Sequence, residues 1–276
     1  MLPLPHTDTL TAHENDGVLY YTFPAFEAVP FVRHGFSTRI GGVSDGVYSS
    51  MNLSFTRGDS DEAVRENFSR FCTAIGVDSA DTVISAQEHH TNIYNVTAAD
   101  RGRGVTRDRG YTDIDGLITD EPQVVLCTQY ADCVPLFFVD PVRRVVGTSH
   151  AGWRGTVAGI AAVTVERMCT DYGCRREDIL AAIGPSIGPC CFEVDEPVYE
   201  AFSAVSVFDD ACVRRRGEKF DIDMWETNRR ILLDAGVREE HITVTDLCTR
   251  CHPDIFWSHR ATGGVRGSLA AFIAMV

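Results

Sequence analysis

The stretch from Ala131 to Gly155 constrains this chain more than any other, because two apolar, β-branched runs meet head to tail within it. Between Val139 and Arg144 stands Asp140-Pro141-Val142-Arg143, and Asp at the first turn position with Pro at the second favours a tight type I reversal. The stretch is therefore predicted to be a β-hairpin. With the turn centred between Pro141 and Val142, Val139 faces Arg144 and Cys133 faces His150. Directly opposite residues of an antiparallel pair hold their Cβ atoms roughly 4.5–5.5 Å apart, close enough for a thiolate and an imidazole to share one metal ion. A cysteine on a strand is ordinarily a small apolar filler, and a histidine behind it a core or turn residue. Two features favour ligation here. Gly152-Trp153-Arg154-Gly155 follows one residue beyond His150, a turn opening a helix, whose unpaired backbone N–H groups suit an anion. Upstream, Gln87, His89 and His90 form a second polar cluster, from which one of two adjacent imidazoles can join the pair.

A chain of 276 residues has room for a large core, in one domain or two. Its 39 acidic and 25 basic residues give a net charge of −14, and with no extended run of Lys and Arg to offset it a nucleic-acid partner is not expected. No stretch of eighteen apolar residues and no N-terminal export signal is present, so no membrane partner is expected and a soluble, cytoplasmic chain is. The ten cysteines are then expected to stay reduced. Cys248 and Cys251 form a C-x-x-C without a second pair at zinc-finger spacing. The adjacent Cys190 and Cys191 could complete a tetrathiolate with them, but they read as packing beside a Gly/Pro turn, so no structural zinc is expected there.

In chain order, Met1 to Phe31 reads as a lead-in segment holding a strand from Val18 to Phe23 after the Asn15-Asp16-Gly17 turn. His34 to Ser44, with hydroxyls, Arg39 and the Gly41-Gly42 pair, reads as a solvated polar loop whose glycines would also permit close approach to a ligand. Asp61 to Ile75 has apolar residues at helical spacing, an acidic first turn and Gly76 past its end. Thr82 to Ala86, Ile93 to Val96, Leu117 to Thr119 and Val124 to Cys127 read as strands, with Asp113 and Asp115 as turn carboxylates that could serve as acid or base. Thr156 to Tyr172 reads as one helix closed by Gly173, and Ile183 to Val194 as a Gly/Pro-punctuated loop walling a pocket. Residues 197 to 217 are less regular. Met224 to Ala235 reads as a helix, and Ile242 to Val244 and Leu269 to Val276 as strands; neither an internal repeat nor a linker appears.

In combination, His34-Gly-Phe-Ser-Thr-Arg39, Gln87-x-His89, Ala131-Asp-Cys133, Ser149-His-Ala-Gly-Trp-Arg-Gly155 and Ile183-Gly-Pro-Ser-Ile-Gly-Pro-Cys-Cys191 resemble the laccase-domain purine nucleoside phosphorylases, also called multicopper polyphenol oxidases. Cys248-Thr-x-Cys251 and Phe256-Trp-Ser-His-Arg260 resemble that family's C-terminal signature. The resemblance spans residues 31 to 276 and departs from the pattern at His90, Cys251-His252-Pro253 and Gly264-Val265-Arg266. It implies a single compact α/β domain over residues 1–276, with mixed β-sheets flanked by helices and 1–30 as lead-in. It also implies a zinc ion held by His89, Cys133 and His150, selecting His89 over His90, with the open fourth position of a catalytic zinc. The implied reaction is phosphorolysis of adenosine, inosine and, by the same resemblance, S-methyl-5′-thioadenosine, with deamination of adenosine beside it.

For that chemistry Cys133, His150 and Asp132 are the candidate catalytic residues, Asp132 in a supporting role because a regular strand turns it to the opposite face. Arg39, Arg154 and Arg260 are the candidates for holding the phosphate dianion. The expected partners are purine nucleosides and phosphate, the expected assembly a monomer or homodimer. Three alternatives follow from the same residues. One thiolate and two imidazoles could hold copper in a polyphenol oxidase, although no further sites for a multinuclear cluster are evident. Cys133 beside His150 could act as a metal-free hydrolase, and a binding module would turn over nothing.

Overall fold

The computed structural model describes residues 4–276. One six-stranded sheet runs in the order β1 (Thr11–Asn15), β2 (Val18–Thr22), β3 (Val32–Ser37), β15 (Leu269–Met275), β7 (Val125–Tyr130), β4 (Thr82–Ile84) and is antiparallel except for the β4–β7 pair. The other runs β14 (Ile242–Val244), β10 (Leu180–Ile183), β8 (Val134–Asp140), β9 (Val145–Ala151), β6 (Gly116–Thr119), β5 (Ile93–Asn95), with parallel pairing at its two ends. A small third sheet joins β11 (Glu193–Val194), β13 (Lys219–Ile222) and β12 (Val213–Arg216).

The two large sheets pack face to face through Tyr21, Phe36, Leu126 and Ile273 of one and Leu117, Phe137, Val139 and Val146 of the other. Helix α2 (Asp61–Ile75) covers the outer face of the first through Val64, Phe68 and Phe71, against Val125, Cys127 and Phe272. Helices α4 (Ile160–Tyr172) and α6 (Met224–Asp234) cover the second, where Leu136 and Phe138 meet Ile160, Val165, Ile231 and Leu232. The result is a single α/β domain of mixed sheets flanked by helices. Because the central strands are buried on both faces, they read as continuous apolar runs rather than alternating ones. Short helices α1 (Pro24–Glu27), α3 (Trp153–Val157), α5 (Glu196–Ser203) and α7 (His259–Thr262) fill the connections. Helix α2 has the bounds expected of it: the Ser60 hydroxyl accepts the Ala63 N–H (3.4 Å) and Gly76 ends the helix at φ +77°.

The central hairpin forms, but its register lies two residues from the expected one. Val139 pairs with Val146 and Pro135 with His150. Asp140 is responsible: its buried carboxylate accepts the N–H groups of Val142 and Arg143, both at 2.8 Å, and Arg144 takes φ +55°, so the loop holds four residues rather than two. A slip of two preserves the face on which every side chain lies. Cys133 and His150 therefore stay on one side, diagonal rather than opposite, with Cys133 just beyond the strand.

The lead-in segment begins at Met1, outside the described residues; its later part, β1 and β2, is an integral hairpin of the first sheet. His34 to Ser37 lies within buried β3, not in a solvated loop, and the His34 Nε2 accepts the Phe23 N–H at 2.8 Å. The glycine pair serves the chain's own packing: a Cβ on Gly41 would lie 2.3 Å from the Gly17 oxygen, and one on Gly42 2.2 Å from the Ser50 oxygen. The helix expected from Thr156 to Tyr172 is two helices, interrupted where Gly159 adopts φ +76°.

Candidate metal centre

Asp115, between the 88–90 turn and β6, organises the centre. It is fully buried and accepts the main-chain N–H groups of Glu88 (2.9 Å), His89 (3.0 Å) and His90 (3.0 Å), while its Oδ1 lies 2.8 Å from His150 Nδ1. The turn is thereby wound around one carboxylate, which holds His89 at φ +66°, a conformation rare for residues bearing a Cβ. Burial would raise the Asp115 pKa, but the bonds from His150 and the N–H groups outweigh it and hold the group below the usual range. It stays an anion that only accepts.

His89, Cys133 and His150 place their ligand atoms within 4.8 Å of one another. With His150 Nδ1 engaged by Asp115, Nε2 is the nitrogen free to ligate, the arrangement by which a carboxylate fixes a metal-binding imidazole. Burial would raise the Cys133 thiol, yet the facing His150 and hydrogen bonds from His150 and His89 bring it down to about 6. Burial would lower His150, yet the Cys133 thiolate and Asp115 raise it to about 9. The thiolate needed for metal binding is thus favoured at neutral pH. Three donors of this kind suit a tetrahedral metal with one position open.

The centre also depends on a missing side chain. A Cβ on Gly152 would sit 2.7 Å from His89 Cδ2 and 3.3 Å from Cys133 Sγ. Gly152→Ala is accordingly expected to displace the His89 ring and lower metal occupancy while the fold persists. Metal analysis beside circular dichroism measures this; full occupancy in the variant would show that the ring is not confined there.

His89, Cys133 and Asp132 line a cavity of about 430 Å³ whose walls include Arg57, Trp153, Phe192, His259, Arg260 and Arg266. That volume is within the ordinary range for small-molecule sites. A larger hollow of about 670 Å³, between α2 and the end of β15, is lined by no histidine, cysteine or arginine, whereas the smaller cavity brings His89 and Cys133 together with three arginines. Asp132 takes φ +81° and its oxygens accept from Thr249 Oγ1 and the Arg260 N–H, both at 2.7 Å. The strand is not regular at this point, and Asp132 braces the cavity wall.

Of the three arginines expected at the phosphate, only Arg260 lines the cavity. The Arg39 guanidinium binds the Pro253 oxygen (2.7 Å) and the Ser49 oxygen (3.0 Å) and stacks on Trp257 at 3.8 Å. Arg154 is exposed and lies over the Trp153 ring at 4.2 Å, in the five-residue helix that Trp153 opens. Gln87 bridges the Gln129 main chain at 2.7 and 2.8 Å. His90 is exposed, with its Nδ1 2.6 Å from Asp113. Sequence reasoning missed Arg57, His259 and Arg266 as cavity residues and Asp115 as the organiser. Arg266 is buried, and its Nε has no hydrogen-bond partner among the described residues. Burial and the neighbouring Arg57 guanidinium push its pKa down to about 10, so it remains charged at neutral pH. Three guanidiniums, those of Arg57, Arg260 and Arg266, line this one cavity, a setting that suits an anion.

A family described as multi-copper polyphenol oxidoreductase laccase matches residues 33–276. The chain is similar to purine nucleoside phosphorylase YlmD of Bacillus subtilis, 38% identical over 243 residues that cover 87% of each chain. It is also similar to adenosine deaminase RL5 from an unknown prokaryotic organism, 37% identical over 235 residues, 83% of this chain and 88% of that one. Among solved structures, the YfiH protein of Bacillus licheniformis superposes with a TM-score of 0.90 at 34% identity, over 96% of this chain and 99% of that one.

Proposed function

The chain belongs to the multi-copper polyphenol oxidoreductase laccase family, and from that membership and its metal centre we propose that it is a zinc-dependent purine nucleoside phosphorylase. Adenosine, inosine and S-methyl-5′-thioadenosine are its proposed substrates, with adenosine deamination as a second activity. The observation that carries the reading is the opening of the His89–Cys133–His150 centre into a cavity that also holds Arg57, Arg260 and Arg266. The relatives named for nucleoside chemistry support it.

Zinc bound by His89, Cys133 and His150 would supply Lewis-acid polarisation of a group at its open position. The rest falls to the protein. Arg260 and Arg266, with Arg57 beside them, hold phosphate so that one oxygen attacks the sugar C1′ as the C–N bond to the purine breaks and its electron pair leaves with the base. Trp153 and Phe192 offer apolar faces to the flat purine. His259 is assigned the proton that the departing base takes up. Asp132 holds Thr249 and Arg260 in place, and Asp115 holds both ligating histidines.

A charge-assisted hydrogen bond contributes about 1.5–3 kcal/mol, so Arg260→Ala should raise the KM for phosphate roughly 10- to 100-fold with a smaller effect on the KM for inosine. Arg154→Ala should change neither by more than about twofold, since its guanidinium rests on Trp153 outside the cavity. Steady-state kinetics with each substrate varied in turn checks both. An Arg154→Ala effect on phosphate exceeding that of Arg260→Ala would move the anion to the 152–155 turn.

A further inference from the structure

We propose that the chain binds a second zinc ion, a structural one, between Cys190, Cys191, Cys248 and Cys251. In sequence Cys190 and Cys191 read as packing beside a Gly/Pro turn and the C-x-x-C stands without a second pair, but the fold brings the two pairs together: Cys251 Sγ lies 3.5 Å from both Cys190 Sγ and Cys191 Sγ. All four sulfurs fall within 4.8 Å of one another. A zinc–sulfur bond of about 2.3 Å in a tetrahedron separates neighbouring sulfurs by about 3.8 Å, whereas a disulfide holds them about 2.05 Å apart. The spacing found is that of four thiolates around one ion.

The surroundings provide what a tetrathiolate needs. The Gly188 N–H donates to Cys248 Sγ at 3.2 Å and Arg250 donates to Cys191 Sγ at 3.3 Å, and such outer hydrogen bonds disperse the negative charge of the sulfurs. Glycine is required where the loop closes on itself, because a Cβ on Gly188 would lie 2.7 Å from the Trp225 ring and 3.3 Å from Cys248 Cβ. The Thr249 N–H completes the junction at 2.9 Å from the Ser186 oxygen.

The location gives this ion a task. Cys191 precedes Phe192, which lines the cavity, and Thr249, between the other two cysteines, donates to Asp132. Arg260 bonds the Glu193 oxygen at 3.0 Å. The second zinc thereby ties the 184–193 loop to the 248–260 segment behind the phosphate-binding wall, and the four cysteines are positioning residues, not catalytic ones.

Metal analysis of protein purified under reducing conditions should find two zinc ions per chain, falling to one in Cys248→Ser/Cys251→Ser. Because that variant can fail to fold, the decisive sample is His89→Ala/Cys133→Ala/His150→Ala, which lacks the first centre. It should retain one zinc, and X-ray absorption should show a shell of four sulfurs and no nitrogen. Cobalt loaded in its place should give the intense sulfur-to-metal charge-transfer bands of a tetrathiolate. Loss of all metal from the triple variant, a nitrogen or oxygen shell, or a reduced-buffer mass lower by two hydrogens, indicating a disulfide, would each overturn the proposal. A failure of the first centre would instead appear as an unchanged metal count between the wild type and the triple variant.

Discussion

Cys133→Ala should remove one zinc per chain and lower kcat/KM for phosphorolysis on the order of 10³-fold or more, since Lewis-acid stabilisation contributes several kcal/mol to a transition state. The size of the effect follows from the geometry. Among the described residues three protein donors converge, and Cys133 supplies the one thiolate of the three, so two imidazoles remain where the metal needs three ligands. His89→Ala and His150→Ala should behave alike. His90→Ala should keep its metal, because that ring faces outward to Asp113 at 2.6 Å. Metal content and initial rates on the same preparations check this, and an unchanged zinc count in Cys133→Ala would separate the thiol from the metal.

The second large effect belongs to Asp115, which touches no proposed ligand atom. Asp115→Ala should destabilise the protein by at least about 3 kcal/mol, because three main-chain N–H groups and the buried His150 imidazole lose a charged acceptor and a hydrogen bond to a charged group contributes about 1.5–3 kcal/mol. It should also weaken metal binding about 10- to 100-fold, as the loss of outer-shell partners commonly does. The pH dependence has a definite sign. The Asp115 pKa in the folded chain lies below its unfolded value of 3.8, so its stabilisation is fully present above about pH 4 and is lost as pH falls through the folded pKa. Urea titrations of wild type and variant should differ near neutrality and converge in strong acid. A neutral-pH difference under about 1 kcal/mol would mean that water replaces the carboxylate and that Asp115 does not organise the turn.

What the sequence made legible was local. Helix α2 could be bounded because its apolar spacing, its acidic first turn and its closing glycine all agree over fifteen residues. The side of the hairpin that carries Cys133 and His150 was legible because side-chain direction in a strand depends only on parity, whereas the register was not, since it turned on Asp140 folding its carboxylate over the following N–H groups. Asp115 looked like one more turn carboxylate; its partners lie 25 to 35 residues away in sequence. The same holds for the cysteines at 190–191 and 248–251, which only the pairing of the two segments brings together. Arg39 and Arg154 lie in motifs that the resemblance singles out, yet their guanidiniums stack on Trp257 and Trp153. Arg266, conspicuous in the sequence only as part of a departure from the family pattern, is the buried cation at the cavity.

The measurement that bears most directly on the reaction follows inosine with the zinc-loaded protein by phosphorus NMR and by chromatography of the free base, with and without inorganic phosphate. Hypoxanthine should appear only when phosphate is present, matched mole for mole by ribose 1-phosphate and without oxygen uptake. Adenosine should still be converted to inosine when phosphate is withheld. Base release that proceeds equally without phosphate would make the protein a hydrolase, and oxygen consumption that depends on copper with no base released would make it an oxidase; either result would contradict the account given of the arginine-lined cavity.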